Sequence, residues 1–186
     1  MLLRVSAKFH RQFSCALGKG DAPVRPFPQT WNLDLLSQGR SQLLILASEE
    51  HSLFSVLIPS DRSRNLGCFQ TAFRERLLQL FANIRLWDRP DLGQFTFSGR
   101  TDPRIIGSQN DLLFMTRKLL EGSEKPASPE TLRRVEEDLN STPMSYLQMG
   151  SPVHALWREM ERLTQQCSDR RVRRSVSIRA SLGRRR

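Results

Sequence analysis

The chain has 186 residues, of which 38% are hydrophobic and 26% are charged, the balance of an ordinary soluble globular protein. No apolar run reaches about 18 residues, so no membrane-spanning helix is expected. The three cysteines, Cys15, Cys68 and Cys167, are too few and too scattered for a disulfide framework or a zinc site, and they favour a reducing compartment such as the cytoplasm.

The formal net charge of +10 is concentrated at one end of the sequence. Residues 168–186, here called the arginine-rich tail, hold eight arginines and a single acid, Asp169, so the rest of the chain is only mildly basic. The tail is expected to be disordered in isolation, or ordered by a partner. Nucleic acid or an acidic protein is the partner that guanidinium groups favour, and a silent, solvated extension is the alternative. The polyanion-binding residues of this prediction are Arg170, Arg171, Arg173, Arg174, Arg179, Arg184, Arg185 and Arg186.

The first twenty residues predict a short strand at 2–5 and then a helix that Ser6 would cap. Phe9, Phe13 and Leu17 recur at helical spacing and would face the core. The absence of acids here is also typical of an organellar transit peptide, but the apolar spacing favours a strand and a helix of the domain.

Three further segments predict an antiparallel sheet. The apolar runs 43–47 and 53–58 are typical of a hairpin, and residues 43–47 are apolar on both faces, as in a central strand. Residues 94–98 alternate between apolar and polar and predict another strand. The segment Trp31–Leu36 is too short to assign to a helix or a strand.

Four amphipathic helices are predicted to cover this sheet. The clearest has one apolar stripe made of Leu66, Phe69, Phe73, Leu77 and Leu80. The predicted helices span residues 66–82, 108–121, 129–139 and 152–166. Ser128 and Pro129 would start the third, and the apolar side of the fourth would hold Val153, Leu156, Trp157, Met160 and Leu163. Because each has only one apolar stripe to bury, we expect a single two-layer α+β domain over residues 1–167, with a mainly antiparallel sheet.

The segment Arg104–Asp111 has two interpretations. Ser108 is a candidate helix N-cap, and Asp111 falls at the third helical position, which is the aspartate version of a capping box. A glycine followed by free amides at a helix start can instead hold phosphate. In that case Arg104, Ser108, Asn110 and Asp111 are the candidate residues for a ligand or a partner.

Several segments, taken in order, resemble a family of small uncharacterised bacterial proteins. They are Trp31-Asn32-Leu33, the apolar hairpin, Gly107-Ser108-Gln109-Asn110-Asp111 and Asn140-Ser141-Thr142-Pro143-Met144-Ser145. The resemblance covers about residues 1–150 and leaves out the arginine-rich tail. Gln109 departs from it, since the family usually has methionine there. The family is a domain of unknown function, so the resemblance implies an architecture and no activity.

Signatures of catalysis are thin. His10, His51 and His154 share no metal-ligand spacing, and no nucleophile elbow, Walker A or dinucleotide fingerprint is present. The sequence therefore predicts no cofactor, no metal site and no catalytic residue. Asp34 paired with Glu49 or Glu50 is the one carboxylate pair that folding could create.

The predicted function is a non-enzymatic binding module whose arginine-rich tail engages nucleic acid or another polyanion. One alternative is a protein–protein interaction module, such as an inhibitor or one member of a two-component system. Another is an enzyme built around Arg104–Asp111. The oligomeric state is left open.

Overall fold

The structure, a computed structural model, describes residues 1–18, 28–38, 42–59, 65–83, 92–100, 102–121, 128–163 and 165. Its framework is one five-stranded sheet. The strands are β1 (Leu2–Val5), β2 (Thr30–Gln38), β3 (Gln42–Glu49), β4 (Ser55–Pro59) and β5 (Thr96–Gly99). They lie in the order β4-β3-β2-β1-β5, so the first strand of the chain is internal to the sheet.

The sheet is mixed. β2, β3 and β4 form an antiparallel meander, while β1 runs parallel to both β2 and β5. The antiparallel pairings hold more residue pairs than the parallel ones. The segment Trp31–Leu36 belongs to β2, which pairs along its length with β3.

Five helices accompany the sheet in the described part of the chain. They are α1 (Ala7–Phe13), α2 (Leu66–Asn83), α3 (Pro103–Glu121), α4 (Pro129–Ser141) and α5, at residues 152–163. The predicted α+β class is confirmed. α1 is shorter than predicted, because Ser14 adopts the left-handed conformation (φ 47°) and ends it, which leaves Leu17 exposed beside β5.

The helices cover both faces of the sheet, so the domain has three layers where two were predicted. α1 and α2 pack on one face, and α3 and α4 pack on the other. The reason lies in β2 and β3, which carry apolar residues on both faces. Leu35 and Ile45 belong to the first core, and Leu36 and Leu44 to the second. A strand that is apolar on both faces must be covered on both.

α3 begins five residues earlier than the predicted capping box. Asp102 is the cap, since its Oδ1 accepts a hydrogen bond from the backbone N–H of Arg104 at 2.8 Å, and Pro103 occupies the first helical position. Gly107 and Ser108 therefore lie in the second turn, and the predicted N-cap role of Ser108 is wrong.

The cap predicted for α4 is confirmed, because the Ser128 hydroxyl accepts from the N–H of Thr131 at 3.1 Å. Trp157 on α5 was predicted to face the core with Leu156 and Met160. Those two are buried, but Trp157 is exposed. The domain boundary predicted at residue 167 and the whole arginine-rich tail lie outside the described residues.

Candidate functional site

The four residues predicted from the Arg104–Asp111 segment do not meet in a cleft. Arg104, Asn110 and Asp111 are exposed on the solvent-facing side of α3. Ser108 is buried, and its hydroxyl donates to the backbone carbonyl of Arg104 at 3.1 Å, one turn back. Their helical spacing puts three of the four on an outer surface and the fourth beneath it.

Two other residues of this surface, Gly107 and Phe114, lie outside the clusters of buried side chains formed by the described residues. Gly107 lies near the middle of the exposed arc of α3, and a Cβ placed there would meet only open space within 4 Å. A glycine inside a helix costs about 1 kcal/mol relative to alanine, and nothing within the described chain requires it. Phe114, two turns along, is 60% exposed. We call Arg104, Gly107, Asp111 and Phe114 the α3 outer stripe.

Beneath α3, a polar cluster is buried against the sheet. The side chain of Gln109 is fully buried; its Oε1 accepts from the Ser48 hydroxyl, and its Nε2 donates to the backbone carbonyl of Asn32 at 3.4 Å. Glu50 accepts from the Asn32 amide at 3.2 Å and pairs with Arg4 at 3.0 Å. Gln109 therefore ties α3 to two strands.

A second buried ion pair lies next to this cluster. Arg100 binds the Asp34 carboxylate at 2.7 Å and also donates to the carbonyl of Leu33 at 2.6 Å. The Ser6 hydroxyl donates to the other Asp34 oxygen at 2.7 Å. Asp34 and Glu50 thus each have an arginine of their own. The carboxylate pair that the sequence left open is replaced by two separately neutralised acids.

Glu49 is the one acid of this region that has a buried oxygen without a hydrogen-bond partner among the described residues. It is fully buried at the end of β3, where its Oε2 accepts from the N–H groups of His51 (2.9 Å) and Ser52 (2.8 Å) and from the Ser52 hydroxyl (2.8 Å). Its Oε1 has no hydrogen-bond partner among the described residues. Burial raises the pKa of Glu49 to about 7, and the hydrogen bonds from Ser52 oppose that rise.

The start of α3 and the loop after α4 come together beside the turn at residues 50–52, which follows β3. His51, Tyr146 and Arg158 line an open cleft of about 310 Å³. Partial burial raises the pKa of Tyr146, with the charge of Asp102 as the next cause. The segments that were distant in sequence, around Asp102 and around Tyr146, are therefore neighbours in space.

The loop that carries Tyr146 has a backbone conformation fixed by hydrogen bonds within the loop. A short 3₁₀ turn, Ser145–Leu147, is followed by Gln148 and Met149, which both adopt the left-handed conformation (φ 53° and 65°). Non-glycine residues adopt this conformation only where the surroundings enforce it. Here the N–H groups of Leu147 and Met149 both donate to the carbonyl of Met144 at 3.0 Å. No local sequence signal distinguished this arrangement from an ordinary loop.

Residues 2–155 match the family model of a domain of unknown function, DUF6933. The chain belongs to the DUF6933 family. The match runs from β1 into α5, which confirms the predicted resemblance to an uncharacterised family, and the arginine-rich tail lies beyond it. Among curated proteins, no sequence matches this DUF6933 chain.

Neither a membrane-spanning helix nor a metal site is found in the part of this DUF6933 domain that the structure describes. No described helix is both long enough and apolar enough to cross a bilayer. Within the same residues, no three side chains of His, Cys, Asp or Glu are grouped so that they could hold a metal ion.

Proposed function

We propose that this DUF6933 protein is a non-enzymatic binding module that holds nucleic acid or another polyanion with its arginine-rich tail. The observation that carries the proposal is the division of charge along the chain, since the tail has eight arginines against one acid. Because the tail lies outside the described residues, its sequence and the ion pairs of the domain are what support the proposal.

Many basic side chains of the domain already face acids of the same chain. Arg4 and Arg100 are buried against Glu50 and Asp34. Four more pairs are Arg76–Glu136, Lys118–Glu121, Arg133–Glu137 and Arg162–Glu159. A cation that is paired within the domain gains less from a phosphate than a free one does. Of the formal net charge of +10, the tail accounts for +7, since it holds eight arginines and one acid.

The composition of the tail favours contacts to phosphate over contacts to bases. Guanidinium groups bind phosphate through two parallel hydrogen bonds. The tail has no aromatic residue, so stacking on unpaired bases is not expected from it. Contacts to the backbone alone carry no sequence information, so we expect weak sequence specificity and strong salt dependence.

We place this activity in the bacterial cytoplasm. The three scattered cysteines favour a reducing compartment, and Cys15 is buried as a free thiol. Nucleic acid is the abundant polyanion there.

The experiment compares the full chain with a chain that ends at Cys167 and with a full-length variant in which the eight tail arginines are glutamine. Fluorescence anisotropy measures their binding to labelled duplex DNA, to RNA of equal length and to heparin at about 50 mM salt. The full chain should bind all three polyanions, and both altered chains should lose at least about tenfold in affinity.

The matched control replaces two arginines of the domain, Arg133→Gln and Arg162→Gln, which already pair with Glu137 and Glu159. This control should keep its affinity within about twofold. An affinity that is unchanged without the tail, or no binding by the intact chain at low salt, overturns the proposal.

A further inference from the structure

We propose that the α3 outer stripe is a self-association surface, on which a second copy of the chain packs its own α3 in antiparallel orientation. This inference goes beyond polyanion binding and does not involve the arginine-rich tail. It rests on three features of the stripe that the domain itself leaves unexplained.

The first feature is the glycine at its centre. Gly107 weakens α3, and no neighbour in the described chain would collide with a larger side chain there. Outside a turn or a cap, a glycine on a helix surface allows another backbone to approach closely. A second helix can pack closely only where no Cβ stands in its way, as at Gly107. The two helix axes would then be about 8 Å apart, near the lower end of the usual range.

The second feature is the exposed aromatic ring. Phe114 is 60% exposed, more than Trp157 at 44% or Tyr146 at 37%. It lies on the same side of α3 as Gly107, two helical turns away. Lys118 approaches its ring to 5.9 Å, but most of the ring remains open to solvent. Aromatic residues are enriched in protein–protein interfaces, and Phe114 would lie at the outer end of this one, beyond Asp111.

The third feature is a pair of opposite charges placed symmetrically about that centre. Arg104 lies three residues before Gly107, and Asp111 lies three residues after Ser108. Both side chains are exposed, and neither forms an ion pair within the described residues. A twofold axis between Gly107 and Ser108 would place Arg104 of each copy opposite Asp111 of the other.

This symmetry is the reason to name a second copy as the occupant. In a twofold interface the same patch occurs on both sides, so it must be complementary to itself. The segment from Arg104 to Asp111, with a positive end, a negative end and a glycine near its middle, satisfies that requirement. A nucleic acid is disfavoured on this surface, because Asp111 would face its phosphates. A dimer would also present two arginine-rich tails to one polyanion and so raise the overall affinity.

The test measures the sedimentation of the full chain, freed of nucleic acid, over a range of concentrations. Arg104→Asp alone and Asp111→Arg alone should each weaken dimer formation at least about tenfold, because each puts two pairs of like charges across the axis. The double variant R104D/D111R restores opposite charges and should recover most of the wild-type affinity.

Two further variants separate association from folding. Gly107→Gln should raise the melting temperature of the monomer, because glutamine is the better helix former, and should weaken the dimer. The matched control exchanges Arg133 and Glu137, an exposed pair on α4, and should leave the dimer unchanged. Circular dichroism checks that every variant is folded.

A chain that sediments as a monomer at its highest soluble concentration overturns the proposal. A dimer that neither single charge reversal weakens, or a double variant that fails to recover, also overturns it. Deleting residues 168–186 should leave the dimer intact, so loss of polyanion binding and loss of the dimer are separate results.

Discussion

The side chain of Asn140 pairs with both backbone polar groups of Ser55. Its Oδ1 accepts from the Ser55 N–H at 2.8 Å, and its Nδ2 donates to the Ser55 carbonyl at 2.9 Å. Ser55 opens the edge strand β4, so Asn140 supplies the hydrogen bonds that a further strand would have made. Glu136 accepts from the N–H of Leu57 at 2.6 Å, and Pro59 has no N–H to offer. α4 therefore closes this edge of the sheet to strand pairing.

Asn140→Ala is expected to destabilise the domain by about 2–4 kcal/mol. The substitution leaves a buried N–H and a buried carbonyl of Ser55 without partners, and each costs about 1–3 kcal/mol. Urea unfolding followed by circular dichroism gives the free energy of unfolding. Asn110→Ala, on the exposed side of α3, is the control and should stay within about 0.5 kcal/mol of wild type. Equal stabilities for the two variants would contradict the role assigned to Asn140.

Glu136 should tolerate glutamine better than alanine. Burial raises the pKa of Glu136, and the Arg76 guanidinium opposes that rise, so the ionised form is held at a cost in desolvation. Glu136→Gln keeps an oxygen for the Leu57 N–H and removes the buried charge, so we expect a loss below about 1 kcal/mol. Glu136→Ala leaves the N–H unpaired and should lose about 1–3 kcal/mol.

The control for Glu136 is its exposed neighbour. Glu137→Gln breaks only a surface ion pair with Arg133 and should change the free energy of unfolding by at most about 0.5 kcal/mol. If Glu136→Gln proves as damaging as Glu136→Ala, the ion pair with Arg76 matters more than the closure of β4.

The stability of the domain should fall as pH rises through neutrality. The pKa of Glu49 is raised from an ordinary 4.5 to about 7, because the carboxyl is buried. The folded chain therefore holds this proton more tightly than the unfolded chain. The stabilisation is complete below about pH 4.5 and is lost as pH rises through about 7, and it amounts to at most about 3 kcal/mol. Glu136 has a raised pKa and contributes in the same direction.

Glu49→Gln isolates this contribution. The amide oxygen can still accept hydrogen bonds from Ser52 and His51, but the amide does not titrate. The free energy of unfolding of the variant should therefore rise relative to that of wild type as pH rises from 5 to about 8. The measurement is the midpoint of urea unfolding at several pH values. Glu121→Gln, on the exposed end of α3, should reproduce the wild-type profile. Parallel profiles for wild type and Glu49→Gln would show that Glu49 does not set this pH dependence.

The parts of the fold that were predicted from the sequence are those whose signal is local. The stripe of Phe69, Phe73 and Leu77 has helical spacing, and all three side chains are buried in α2. Ser128 caps α4 through an atom three residues away. In each case the pattern and its cause lie within one or two turns, so no knowledge of the rest of the chain is needed.

The parts that were missed depend on distant partners or on competing local signals. β2 was left unassigned because the run Trp31–Leu36 is short. Its polar residues Asn32 and Asp34 are paired with Glu50 and Arg100, which are distant in sequence. Because Gly107 is typical of a helix boundary, the start of α3 was predicted after it, and the true N-cap, Asp102, was missed. The prediction of two layers overlooked what residues 43–47 require, since a strand apolar on both faces needs a helix on each.

In the candidate site too, local patterns were predictable from the sequence and contacts between distant residues were not. Arg104, Asn110 and Asp111 were predicted as candidate ligand or partner residues at a helix start that was placed too late, and all three lie on the exposed side of α3. The environment of Glu49 was not predicted, because it depends on a turn, on burial and on the loop around Tyr146. Arg4 and Glu50 are far apart in sequence, and only the sheet brings them together.

Polyanion binding by the arginine-rich tail is tested most directly by the salt dependence of binding to duplex DNA. If most of the eight arginines contact phosphates, the slope of log K against log salt should lie between about −5 and −7 for the full chain. The chain that ends at Cys167 should give a slope close to zero. A shallow slope for the full chain, or the same steep slope with and without residues 168–186, would contradict the proposed function.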